Sequence, residues 1–248
     1  MNSVALKDAF RVDVDDTVAP FLWSDVDIAS YMDDAQKMFC RLTNGLSDST
    51  TPSVCRVSVV SGTATAAISD RILKIRRAMR SSDGRPVTVV NVEDLDSMGI
   101  RLDNHAGRVE HLVLGMDEHS VRWVRTPDVA DVIQLTVWRM PLLDITATTV
   151  VANDPEENSP NIDPVVLEID SQHHRALLLW MEHLAYLKQD ADTINRKLSA
   201  EREASFRAYC FQAMNEQNKA RHKTRVTQYG GIGGIGGYGD FRGDRSRY

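Results

Sequence analysis

Three groups of residues carry types and spacings that could do chemistry. Gly231-Ile232-Gly233-Gly234-Ile235-Gly236 matches G-x-G-x-x-G, the turn that lays backbone N–H groups against the phosphates of a dinucleotide. Such a turn needs a strand before it and a helix N-terminus after it. Here a charged helical segment precedes the glycines and twelve residues follow them, so no strand–turn–helix unit is predicted. No Gly-Lys-Ser/Thr marks a P-loop either. His173, His174 and His183 fall on one predicted helix, where a shared metal ion would need two of them about one turn apart. From His174 to His183 the helix climbs roughly 13 Å at about 1.5 Å per residue, too far for one ion. Buried or capping histidines are expected instead.

Asp13-Val14-Asp15-Asp16 offers carboxylates but lacks the glycine and the distal glutamate of a calcium loop, so it reads as part of a solvated N-terminal arm. Cys40, Cys55 and Cys210 lie far apart with no C-x-x-C pair, which argues against a disulfide framework and against structural zinc. Ser24 and Ser171 are explained as helix caps, and no G-x-S-x-G elbow occurs. No nucleophile and base pair emerges. Neither an enzyme nor a cofactor nor a metal site is expected.

The elements around these residues are marked by changes in hydrophobic period. Ser24 with Asp25 and Asp27 signals a helix start, and Ile28, Tyr31, Met32, Ala35, Met38, Phe39 and Leu42 make one apolar stripe that ends at Asn44-Gly45. Between residues 53 and 149 the pattern shifts to short β-branched segments, at 57–60, 86–92, 110–114, 121–124 and 132–140, separated by turn signals. That spacing predicts an antiparallel sandwich or small barrel. Residues 70–80 suit either a helix or a strand. The proline-rich and acidic stretch 153–164 reads as a linker. Asp170 or Ser171 then caps a second helix, apolar over a wide arc. A third, restarting near Gln189 and running to about His222, is long and thinly apolar, a pattern that asks for a neighbour.

The fold class is therefore α+β: a small bundle of three main helices, an inserted antiparallel β sandwich or barrel-like module, and an extended C-terminal arm. The expected divisions are an arm at 1–22, a bundle formed by 23–50 and 165–224, a β module at 51–152, the linker at 153–164, and a glycine-rich arm at 225–248.

The chain has 248 residues and a net charge of -6, and its 42% hydrophobic and 26% charged residues are ordinary for a folded protein, so bulk composition names no partner. The charge is unevenly placed, because Lys219, Arg221, Lys223, Arg225, Arg242, Arg245 and Arg247 face only Asp240 and Asp244 after residue 218. An acidic body with a basic tail points to an acidic partner for the tail. Asp8, Asp13, Asp15 and Asp16 interrupt any signal peptide, and the longest strongly apolar run, 176–181, is too short to span a bilayer. A soluble protein made in a reducing cytoplasm is expected, without a membrane partner.

Three segments together resemble the head-to-tail adaptor (connector) proteins of tailed bacteriophages. "FLWSDVDIASYMDDAQKMF" (21–39) is similar to that family's opening helix, and "VRWVRTPDVADVIQLTVWRMPL" (121–142) to its closing β hairpin. "LEIDSQHHRALLLWMEHLAYLKQDADTINRKLSAEREASFRAY" (167–209) is similar to its paired helices. The resemblance implies a structural virion protein in the neck or tail region, assembled in the host cytoplasm. It also implies a homo-oligomeric ring, commonly dodecameric, that joins the portal protein to a tail tube or nozzle protein around the DNA channel. Members dock on the portal through their C-terminal segments, which here would make Tyr229, Ile232, Ile235, Tyr238, Phe241, Arg242, Arg245, Arg247 and Tyr248 the portal-docking arm. The alternative reading is a nucleic-acid-binding protein whose basic Gly/Arg/Tyr tail combines stacking with charge.

Overall fold

The structure, a computed structural model, describes residues 1–97, 99, 101–102, 105–145, 165–188 and 194–222. Along the chain run α1 (Ser3–Asp13), α2 (Asp25–Leu42), β1 (Leu46–Asp48), α3 (Pro52–Cys55), β2 (Arg56–Val59), β3 (Thr65–Ala67) and β4 (Ile72–Arg80). There follow β5 (Pro86–Asn91), α4 (Val92–Ser97), β6 (Ala106–Gly107), β7 (His111–Asp117), β8 (Ser120–Trp123), β9 (Thr126–Pro127) and β10 (Asp131–Arg139). A 3-10 turn (Ser171–His173), α5 (His174–Leu187) and α6 (Arg196–His222) complete the described elements.

Local chemistry explains the helix starts. Asp27 N–H donates to Ser24 Oγ at 3.2 Å while the Asp27 carboxylate accepts from the Ser24 N–H and hydroxyl, so two orphan donors of α2 are satisfied reciprocally. Asp170 accepts from the Gln172 N–H and opens the turn that leads into α5. Asn195 caps α6 by accepting from the Leu198 N–H, so this helix begins at Arg196 rather than near Gln189; residues 189–193 lie outside the described residues. The stripe of α2 packs with Leu177, Met181 and Ala185 of α5 and Phe206, Cys210 and Ala213 of α6 in one core.

Residues 1–22 do not form the expected solvated arm. Asn2 caps a helix by accepting from the Ala5 N–H at 2.9 Å, and Leu6 and Phe10, one turn apart, are fully buried in the bundle core. The acidic residues that suggested solvent are partly consumed inside. Asp16 accepts from Arg11 and from the Leu22 and Trp23 N–H groups, and Arg11 bridges on to Asp25 at 2.6 Å. This network turns the chain from α1 into α2.

The β module is a curled open sheet in the order β1-β10-β4-β5-β7-β8-β3, with β2 also on β10. Residues 70–80 resolve as a strand, whose Ile75 and Ala78 face a core that holds Val57, Val59, Ile133, Leu135, Val137 and Trp123. Register shifts between β10 and β4 at Thr136/Val137 and Trp138/Arg139 are bulges that help the sheet curl. The expected antiparallel pattern fails within the main sheet where β5 and β7 run parallel, Val89 beside Leu112. Parallel neighbours need a crossover, and the connection that contains α4 supplies it. A pair of short strands, β6 and β9, is also parallel.

The chain leaves α2 through Gly45, at a φ of 71°, where an added β-carbon would sit 2.8 Å from the Arg139 carbonyl oxygen. Gly45→Ala is therefore expected to destabilise the fold by about 2 kcal/mol, read as a lower urea midpoint at unchanged slope.

Candidate functional site

Helices and sheet are built around separate cores, joined where Leu46 and Met140 pack against the helical core and by paired charges. Arg139 ends β10 and is buried. Its Nε donates to Asp48 at 2.6 Å, while one Nη donates to Glu168 at 2.6 Å and to the Met140 carbonyl at 3.1 Å. Asp48 is completed by the Thr50 and Thr51 N–H groups, and Glu168 accepts from the Leu142 N–H at 2.7 Å. Burial pushes the Asp48 carboxyl up, but the hydrogen bonds from Thr51, Thr50 and Arg139 outweigh it and hold the group well below the usual carboxylate range.

A second cluster ties α2 to the same joint. Asp144 sits between Arg71 and Lys37, whose Nζ is 2.6 Å away, and Lys37 also meets Asp33 at 2.7 Å. Asp33 accepts from the Ile145 N–H, and Arg71 donates to the Pro141 carbonyl. Hydrogen bonds from Arg71 and Lys37 hold Asp144 far below its ordinary value. The β module is thus pinned to the bundle by paired charges as well.

At one end of the bundle the C-termini of α1 and α5 meet the N-termini of α2 and α6. Trp23 is buried there, donating from its indole N–H to the Ala185 carbonyl at 3.3 Å, and Lys188 pairs with Asp27 at 3.0 Å. Around this anchor Val18, Phe21, Leu22, Val26, Leu187 and Ile194 are exposed. Reasoning from the sequence missed this surface, although the run Val18 to Trp23 carried its signal: apolar residues just outside a helix start.

The residues expected to form a docking arm, Tyr229, Ile232, Ile235, Tyr238, Phe241, Arg242, Arg245, Arg247 and Tyr248, lie outside the described residues, as does the linker at 153–164. The histidines are placed apart. His173 stacks on Phe39 with its Nδ1 3.0 Å from the Tyr209 hydroxyl, His174 Nε2 lies 2.8 Å from the Ile169 carbonyl, and His183 Nδ1 is 2.9 Å from Ser199 Oγ. Burial pushes the Cys40 and Cys210 thiols up to about 12 and Cys55 up to about 11, so all three stay protonated near neutral pH. Among the described residues no group of His, Cys, Asp and Glu could hold a metal ion, and no helix is long and apolar enough to cross a membrane.

Compared with known proteins, residues 1–230 match the family described as SU10 adaptor protein. The match ends just before the glycine–isoleucine repeats. No curated protein matches the chain.

Two outcomes follow from the joint. Arg139→Met leaves Asp48 and Glu168 facing each other without their cation and should cost about 3 kcal/mol in denaturant unfolding. Because the folded carboxyl of Asp144 is depressed, its contribution is complete above the unfolded value of about 3.9 and is lost as pH falls below it. Thermal melts at neutral pH and near pH 3 should accordingly show a smaller acid loss for Asp144→Asn than for the wild type.

Proposed function

The chain belongs to the SU10 adaptor protein family, which makes it a phage adaptor structural protein of the virion, and from that premise we propose that it is a non-catalytic subunit of a portal-to-tail ring. The ring is homo-oligomeric, the dodecamer that the resemblance implies, and encircles the channel through which DNA passes. Its subunits contact the portal on one side and a tail or nozzle protein on the other.

The observation that carries this reading is the unused surface of α6. At about 1.5 Å per residue the helix is roughly 40 Å long, yet within its own subunit it buries only Ser199, Phe206, Cys210 and Ala213 among the described residues. Phe211 is 62% exposed on the other side. A long helix that gives so little to its own core is stabilised by packing against another chain, and side-by-side helices in a closed ring supply that contact. The acidic body supports passage rather than retention of DNA, because a lining of fixed positive charge would hold phosphates by releasing their counterions. The basic arm after residue 222, outside the described residues, is the segment proposed to engage the portal, with Ile232, Ile235 and Tyr238 as its apolar contacts.

Mass photometry with and without portal rings tests the proposal. Wild-type protein should form rings on the portal, and Phe211→Glu should keep its melting temperature while losing assembly. Protein lacking residues 227–248 should fold but fail to co-sediment with portals. A wild-type chain that stays monomeric beside intact portal rings, or a truncated chain that binds them in full yield, would overturn the reading.

A further inference from the structure

On the β module, two stretches of chain run side by side. Residues 105–111 lie against residues 123–127 through the β6–β9 ladder, with the Thr126 N–H donating to the His105 carbonyl at 3.2 Å and the Asp128 N–H to the Gly107 carbonyl at 3.2 Å. Between them opens a cleft of about 350 Å³, lined by Arg101, Arg108, Arg125, Glu110, His111 and Val124. Three arginines thus line a space that also holds one carboxylate, Glu110.

Among the described residues those charges find little to balance them besides Glu110. Among the described residues Arg101 and Arg125 make no ion pair, and the carboxylate nearest Arg108 is Asp83 at 3.9 Å, which already holds Arg80 at 2.9 Å. Arg108 remains 69% exposed along its side chain. A fourth guanidinium stands close by on β8: Arg122 pairs in register with Val113, which shares an apolar cluster with the cleft-lining Val124, and its Nε is buried with no hydrogen-bond partner among the described residues. Like charges that line one cleft repel, and an oxyanion between them would offset the repulsion.

The backbone is also shaped for it. A β-carbon on Gly107 would lie 3.1 Å from Arg125 Cδ and 3.8 Å from its Nη1, so the bare backbone at 107 leaves room for the Arg125 side chain to pack over it. Guanidinium groups present planar, paired N–H donors that match the oxygens of a phosphate, and His111 adds a ring N–H.

We propose that this cleft binds a phosphate group, held by Arg108 and Arg125 with Arg101 closing the third side. The phosphate comes either as a free polyphosphate or as a phosphodiester of DNA. The site stands on the β module of a single subunit and does not depend on the ring.

Calorimetric titration of the full-length chain with pyrophosphate, and separately with a duplex oligonucleotide, tests it at low and moderate salt. Pyrophosphate should bind with one site per chain, and Arg108→Ala or Arg125→Ala should each weaken it about tenfold. Gly107→Ala keeps every charge and should weaken it in the same direction, whereas Arg77→Ala, exposed on β4, should leave it unchanged. Circular dichroism melts that match the wild type show that the variants are folded. A duplex that displaces pyrophosphate and loses affinity in Arg125→Ala identifies DNA as the source, and a duplex that fails to compete identifies the free anion. Absence of pyrophosphate binding, or binding that Arg108→Ala and Arg125→Ala leave unaltered, overturns the proposal. Mass photometry of the same samples keeps that result separate from any failure of ring assembly.

Discussion

A guanidinium taken out of water must meet carboxylates, because an unpaired buried charge costs several kcal/mol. Arg139 is buried at the end of β10, and its partners come from 91 residues earlier, at Asp48, and 29 residues later, at Glu168. That single requirement brings together the strand that leaves α2, the last strand of the sheet and the segment that leads into α5. Once those three are fixed, the β module has one way to leave the bundle and one way to return. The cluster of Asp33, Lys37, Arg71 and Asp144 repeats the device on the α2 side.

A joint of this kind has mechanical consequences. Two apolar cores connected only by a loose linker would move independently, whereas ion pairs shielded from solvent at several points resist bending between them. A stiff subunit of that kind suits a phage adaptor structural protein. Surfaces left free by this internal economy, the outer side of α6 and the apolar end around Trp23, are where contacts with other chains can form without disturbing either core.

Where side chains decide structure locally, the sequence was easy to read. The Ser24 cap with acidic residues in its first turn, the three- and four-residue spacing from Ile28 to Leu42, and the β-branched segments at β2 and β10 each express a short-range rule, and the corresponding elements lie within a few residues of expectation. Difficulty arose where a residue's environment comes from far along the chain. Asp8, Asp13, Asp15 and Asp16 look solvated in isolation, yet Asp16 is buried because Arg11 and two backbone N–H groups surround it. The helix around Leu6 and Phe10 was missed with it. The apolar residues beside Trp23 were equally present in the sequence, but nothing short of the packed bundle shows that they share one end with Leu187 and Ile194.

The sequence by itself determined the α+β fold class and the positions of most of its longer helices and strands, because caps and hydrophobic periods act over a turn or two of chain. Only the tertiary structure decided that β5 and β7 lie parallel, that α1 belongs to the bundle, and that Arg101, Arg108 and Arg125 share one cleft. Each of those depends on which distant segment arrives alongside, and that is set by burial and charge pairing summed over the whole fold rather than by any local preference.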